Sequence, residues 1–157
     1  LVGPRAPVAD RDGVRQTGFV PFDALLAWLA AADLCVIPME DTVGNRGRWP
    51  GKVNDYLAAG RATLMTEVGD APGYLEEWGA GWSAPATPEG LGERMAALLG
   101  DRGALEAAGR RARRLAEGEL SWERIGDRVE AIYERALALA GRPGHPARGG
   151  TPGATTE

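Results

Sequence analysis

The segment Leu34-Cys35-Val36-Ile37 is apolar at every position and is stopped by Pro38. A strand with one wet face alternates apolar and polar residues, so an unbroken run implies a strand covered on both faces, as in a parallel sheet. Ala62 to Thr66 reads as a second strand, Gly81 to Ala84 as a short edge strand, and Thr17 to Val20 as a short apolar stretch able to form another. Helical patterns lie between them. Pro21 opens one, since proline suits a first helical turn, and Phe22, Leu25, Leu26 and Leu29 recur at helical spacing towards Asp33. Lys52 to Ala59 is another, with Val53, Tyr56 and Leu57 on one face and Gly60 as its stop. Pro72 to Trp78 is a short third. Strands alternating with helices predict an α/β domain with a Rossmann-like parallel sheet.

From Pro88 onward the chain is helical. Leu91, Met95, Leu98 and Leu99 mark one helix, and Asp101 to Gly118 a second, whose Arg110, Arg111, Arg113 and Arg114 read as a solvated face. Ser121 caps a third, where Trp122, Ile125, Val129, Ile132, Tyr133 and Leu137 form an apolar stripe expected to pack. The domain is expected over 1–140. Residues 141–157, rich in Gly, Pro, Thr and Ala, are expected as a disordered tail. There is no internal repeat. The chain opens on Leu1-Val2-Gly3, which reads as the end of a strand entering a turn, so the piece is expected to begin inside a fold.

Composition excludes several functions. A formal net charge of -4 offers no general footprint for nucleic acid. No apolar run reaches the roughly 18–20 residues of a membrane span, and the first residues given do not show the basic-then-apolar pattern of a signal peptide. Cys35 is the only cysteine and reads as inert core, which rules out an internal disulfide or a multi-cysteine zinc site. The one histidine, His145, lies among Gly, Pro and Ala, so histidine triads and paired-histidine metal sites are absent from the sequence. Lys52 is the only lysine among 18 basic residues.

Lys52 ends an unusual loop. Met39 to Gly51 is long for a strand-to-helix connection, typically about 2–6 residues, and it holds Glu40, Asp41, Asn45, Arg46, Gly47, Arg48 and Trp49. Ligands of open α/β sheets bind at the carboxyl ends of strands, where this loop belongs. Arg46, Arg48 and Lys52 supply cations, free N–H groups at the helix start favour an anion, and Gly47 and Gly51 permit close backbone approach. Asp55, one turn into the helix, can accept two hydroxyl hydrogen bonds, as acidic side chains do from a ribose. Phosphate near Lys52 and a sugar near Asp55 would describe a nucleotide. Each residue also has a plainer reading: Lys52 and Asp55 as a helix pair, Arg46 and Arg48 as solvated charges, Trp49 as a pin for the loop.

The order of segments resembles the C-terminal, donor-binding domain of GT-B fold glycosyltransferases, in particular the glycosyltransferase family 4 group. Thr17-Gly18-Phe19-Val20, a helix, and Ala31-Ala32-Asp33-Leu34-Cys35-Val36-Ile37-Pro38 look like one of its segments. Pro50-Gly51-Lys52-Val53-Asn54-Asp55-Tyr56-Leu57-Ala58-Ala59-Gly60-Arg61-Ala62 is similar to its "P-x-K-x-x-E-Y-x-A-x-G-x-P" segment. Glu67-Val68-Gly69 and Gly79-Ala80-Gly81 fit its later turns, and Ser121-Trp122 with Tyr133 looks like its closing helix. In the family's Glu-x7-Glu pattern, Asp55 occupies the second, ribose-binding position, and Gly47, without a side chain, the first.

The resemblance implies the donor-binding part of an enzyme moving sugar, of hexosyl type, from a nucleoside diphosphate sugar to an acceptor hydroxyl. It implies retention of configuration, no metal and no cofactor beyond the substrate. Its donor contacts would be Phe19 and Val20 for the base, with Asn45, Gly47, Trp49, Gly51, Lys52 and Asp55 for the rest, and Lys52, Arg46 and Arg48 would stabilise charge. It further implies an acceptor-binding N-terminal domain outside this chain, a fragment inactive alone, and a cytoplasmic location with room for peripheral membrane association at the inner face through that other half. Gly47 favours a rival, an inactive nucleotide- or protein-binding α/β module. Glu40 and Asp41 give only a faint likeness to a signalling receiver.

Overall fold

The structure, a computed structural model, describes residues 13–139. It contains two units, Leu1–Gly118 and Glu119–Glu157, each described by itself. Leu1-Val2-Gly3, the first part of the opening loop and the 141–157 tail lie outside the described residues.

The first unit carries β1 (Cys35–Ile37), β2 (Thr63–Thr66) and β3 (Gly81–Ala84), hydrogen-bonded in that order and parallel throughout. Val36 pairs with Leu64 and Leu64 with Trp82, which places these three side chains on one face of the sheet. There they join a core of Ala62, Ala84, Leu98, Leu105 and Ala108, the last three supplied by α5 (Pro88–Leu99) and α6 (Arg102–Glu117). The alternate residues, Cys35, Ile37, Thr63 and Met65, are buried as well. Both faces are therefore covered, as the unbroken apolar run requires.

Helix α3 (Lys52–Ala58) buries Val53 and Leu57 and packs on α6 and β2, while α4 (Ala71–Glu77) buries Ala71, Pro72 and Leu75 and packs on β2 and β3. The α3–β2 turn is made by Gly60 at φ +66°, a left-handed conformation that side chains other than glycine rarely adopt. Gly109 of α6 lies against it: a Cβ there would sit 2.4 Å from the Gly60 carbonyl oxygen. Two members of the arginine group on α6 complete this end. Arg113 donates to the Ala58 carbonyl at the C-terminus of α3, and Arg111 Nε donates to the Gly79 carbonyl just beyond α4, at 2.6 Å. That group is thus half structural, because orphan carbonyls at helix ends accept cationic donors.

Two expectations change. Thr17–Val20 forms no strand; Gly18 turns the backbone at φ +69° and Pro21 lacks the N–H a ladder needs. In α1 (Phe22–Ala31) the apolar spacing is present, but only Leu29 is buried, whereas Phe22, Leu26 and Trp28 are exposed.

In the second unit α7 (Trp122–Leu139) starts where Ser121 predicts it, the hydroxyl accepting from Arg124 N at 3.2 Å. Glu119 draws in Arg124 and Arg128. The helix buries none of its residues, and no other described element of its own unit covers its apolar stripe. No described helix is long and apolar enough to cross a membrane.

Candidate functional site

Past β1 the chain is held by β2. Thr66, at the C-terminal end of that strand, accepts a hydrogen bond from Met39 N and donates one to Met39 O through its hydroxyl, both at 2.8 Å. A buried hydroxyl needs partners, and here both belong to one residue 27 positions away. The loop therefore leaves the sheet from a fixed point.

Next comes a brace absent from the sequence reading. Thr42 caps the one-turn helix α2 (Val43–Arg46), accepting from Asn45 N at 3.2 Å. The Asn45 side-chain amide donates to the Glu40 carbonyl at 2.9 Å. Arg46 meets Asp41 with two parallel hydrogen bonds of 2.5 and 2.7 Å, which holds the Asp41 carboxyl below its ordinary value and raises Arg46 above its own. Gly47 ends α2. Of the expected cations, Arg46 is consequently committed to a neighbouring carboxylate.

Trp49 and Asn54 tie the far end of the loop to the start of α3. The indole N–H donates to Asn54 Oδ1 at 3.0 Å, and the Trp49 ring meets Tyr74 edge-on at 5.6 Å between centroids. Trp49 pins the loop, as its plainer reading has it.

Between the end of β1 and the start of α3 lies a cavity of about 290 Å³, lined by Val36, Ile37, Pro38, Met39, Arg48, Pro50, Gly51 and Lys52. One wall is apolar; the other brings Arg48 and Lys52 together over backbone at Gly51. Neither cation makes a side-chain hydrogen bond or ion pair with another described residue. Two N–H groups at the start of α3 are already used, Val53 bonding to Pro50 O and Asn54 to Gly51 O, so the side chains carry most of the positive charge. Asp55 is exposed one turn further along α3, makes no ion pair with Lys52, and does not line the cavity. Asn45, Gly47 and Trp49, expected as donor contacts, do not line it. Phe19, 84% exposed, and the half-buried Val20 precede α1 and are not brought to it.

The cavity's chemistry is that of an anion site with an apolar floor. Titratable groups tuned by burial lie elsewhere: Cys35 is pushed up to about 11 by desolvation, against the opposing charge of Arg61, and Tyr56 is raised mainly by burial. Cys35 is thus an inert thiol at neutral pH. No group of three metal-ligating side chains occurs among the described residues. A smaller cavity, about 110 Å³, lies at the opposite end of the sheet against Asp33, Arg61 and Arg102. Ligands of open α/β sheets gather at the strands' carboxyl ends, which selects the first.

Pro38, Met39 and Thr66 belong to the site and are not marked as ligand contacts by the sequence, which marks Asp41 only for a faint likeness to a receiver. A threonine at the carboxyl end of a short buried strand is the one available signal for Thr66; the Asp41–Arg46 pairing has none.

Comparisons with known proteins identify a family and a fold. The profile of a family described as "Glycosyl transferases group 1" matches residues 2–101. Among solved structures, sucrose-phosphate synthase (tll1590) from Thermosynechococcus elongatus shares the fold with a TM-score of 0.66 at 19% identity, over 82% of this chain and 31% of that one. This chain thus spans under a third of that protein's length. No curated protein sequence matches it.

Proposed function

Because the chain belongs to the glycosyl transferases group 1 family, we propose that its first unit is the donor-binding part of a transferase using a nucleoside diphosphate sugar. The fold is that of the GT-B glycosyltransferases. The observation that carries the reading is the cavity at the end of β1, where Arg48 and Lys52 stand beside Gly51 without side-chain partners among the described residues.

In this reading the diphosphate lies against Arg48 and Lys52, and the apolar wall of Ile37 and Met39 excludes water from it. The bond from the sugar's anomeric carbon to the diphosphate oxygen breaks, the acceptor hydroxyl oxygen forms the new bond, and its proton leaves with the departing diphosphate. Charge grows on the leaving oxygens as the sugar becomes oxocarbenium-like, and fixed cations stabilise that state more than the ground state. Such chemistry calls for no metal and proceeds with retention in our proposal. Asp55, exposed beyond the cavity, accepts the pentose hydroxyls. A hexose as the transferred sugar, an acceptor presented by a further domain, and action in the cytoplasm complete it.

Calorimetric titration with UDP-, GDP- and ADP-sugars tests this. Binding of one donor, weakened in Lys52→Ala and in Asp55→Ala, is expected. Gly47, at the position of the family's first acid, favours the second reading, an inactive binding module. That reading prevails if a donor binds but sugar is never transferred, even with the chain joined to an acceptor domain.

A further inference from the structure

The stretch Gly47–Gly51 joins α2 to α3 and carries Arg48. Its two ends are fixed. At one, the Asn45 and Arg46 carbonyls lie so close to Gly69 that a Cβ there would sit 3.3 and 3.0 Å from their oxygens; at the other, Pro50 is buried. Between these ends no backbone hydrogen bond holds Arg48 or Trp49 among the described residues. The tether of this middle part is the Trp49 side chain, whose indole N–H donates to Asn54 Oδ1 at 3.0 Å and whose ring meets Tyr74 at 5.6 Å.

Arg48 and Pro50 line the β1 cavity, and Trp49 between them does not. Neighbouring side chains thus part to two sides, Arg48 towards the cavity and Trp49 towards Asn54 and Tyr74. Asn54 stands on α3 just beyond Lys52, so the bond it accepts fastens the Arg48 stretch to the helix that carries the other cation. An exposed arginine explores many rotamers, and a ligand that must order it loses affinity. Holding its backbone in place removes part of that loss before the ligand arrives.

We propose that Trp49 and Asn54 are positioning residues: their hydrogen bond sets the spacing of Arg48 from Lys52, so that the cavity takes two linked phosphates in preference to one. That the linked phosphates belong to a nucleotide rests on the donor-site reading above; the spacing itself rests on this latch. Two cations at a fixed distance favour a ligand whose two charges are joined, because the second contact is then made at high effective concentration. A single phosphate engages either cation and gains nothing from their spacing. A Trp49 that merely supported the fold would, when altered, weaken both anions alike.

The test titrates the 157-residue chain with sodium pyrophosphate and, separately, with orthophosphate, and follows the amides of Ile37, Met39 and Gly51 by NMR. Saturable shifts with pyrophosphate are expected. Asn54→Ala should raise its Kd about fivefold, the effect of one hydrogen bond, and leave that of orthophosphate within about twofold. Trp49→Phe, which keeps a ring and loses the N–H, should do the same, and the double variant should bind about as well as either single one. In Arg48→Gln the effect of Asn54→Ala should vanish, since the group being positioned is gone. Equal losses for both phosphates, a loss that persists in Arg48→Gln, or no saturable shift with pyrophosphate overturns the proposal. Parallel titrations with UDP, GDP and ADP keep the two readings apart. A nucleotide held through Lys52 with no dependence on Asn54 removes the latch alone. The expected pyrophosphate pattern, with no nucleotide bound more tightly than pyrophosphate, removes the donor site alone.

Discussion

The two ends of α3, a helix of 7 residues, are treated in opposite ways. At the C-terminal end every feature closes the structure: Arg113 satisfies the Ala58 carbonyl, Gly60 turns the chain, and Gly109 lets α6 approach. At the N-terminal end Lys52 and Arg48 face a cavity with no side-chain partner among the described residues. A helix anchored at one end and left open at the other presents charge to a ligand without costing the fold its rigidity. The contrast teaches that unpaired cations beside a sheet mark function only where the neighbouring cations are visibly paired, as Arg46 is with Asp41.

The largest expected effect breaks the closed end. Gly109→Val should destabilise the protein by about 3 kcal/mol or more, because its Cβ would meet backbone and not a movable side chain. Gly92→Ala on α5, where a Cβ meets nothing within 4 Å, should instead stabilise by about 0.4–1 kcal/mol. Urea unfolding of the two variants measures the difference, and equal midpoints would deny the close approach.

The open end should behave conversely. Lys52→Ala is expected to leave the unfolding midpoint within about 0.5 kcal/mol of the parent. It should weaken UDP binding about tenfold or more, since a hydrogen bond to a charged group is worth about 1.5–3 kcal/mol. Arg113→Ala reverses the pattern: stability falls by about 1.5 kcal/mol, the lower end for a hydrogen bond from a charged group since the side chain is half exposed, and UDP affinity is unchanged. Should Arg113→Ala instead lose nucleotide binding, the two ends are coupled and the comparison fails.

A smaller effect concerns pH. The Arg46 hydrogen bonds lower the Asp41 carboxyl below its ordinary 3.8, so the ionised form is favoured in the folded loop. The brace therefore contributes fully above pH 3.8 and is lost as pH falls through the lower folded value. Amide shifts of Asn45 and Arg46 should stay constant from neutral pH to about that point and move only below it, and Asp41→Asn should abolish the step. Least visible of all is Cys35, which should resist a thiol reagent at neutral pH until urea unfolds the chain, given a thiol pushed up to about 11.

Much of this architecture is legible in the sequence. The unbroken run at Leu34–Ile37, the glycine stop at Gly60 and the Ser121 cap each reflect a preference acting within a few residues, and each recurs in the structure at its expected place. The short helix inside the Met39–Gly51 loop is less legible, because one turn buries nothing and rests on Thr42 and a salt bridge. Thr17–Val20 shows the opposite failure: its composition suits a strand, but Gly18 turns the backbone at φ +69° and Pro21 lacks the N–H a ladder needs. The candidate site divides the same way, since Lys52 and Gly51 are found from their position before a helix, whereas the separation of Arg48 from Arg46 is not.

Local preference, then, determined the order of strands and helices, the parallel sheet and the placement of the lone lysine at a helix start. Tertiary structure alone decided which cations stay free, that Thr66 fastens Met39 across 27 residues, and that Trp49 meets Tyr74 and Tyr74 meets Trp78. The reason is physical: periodicity and capping are settled by neighbours along the chain, but a pairing between distant residues exists only once packing has closed the loops that separate them.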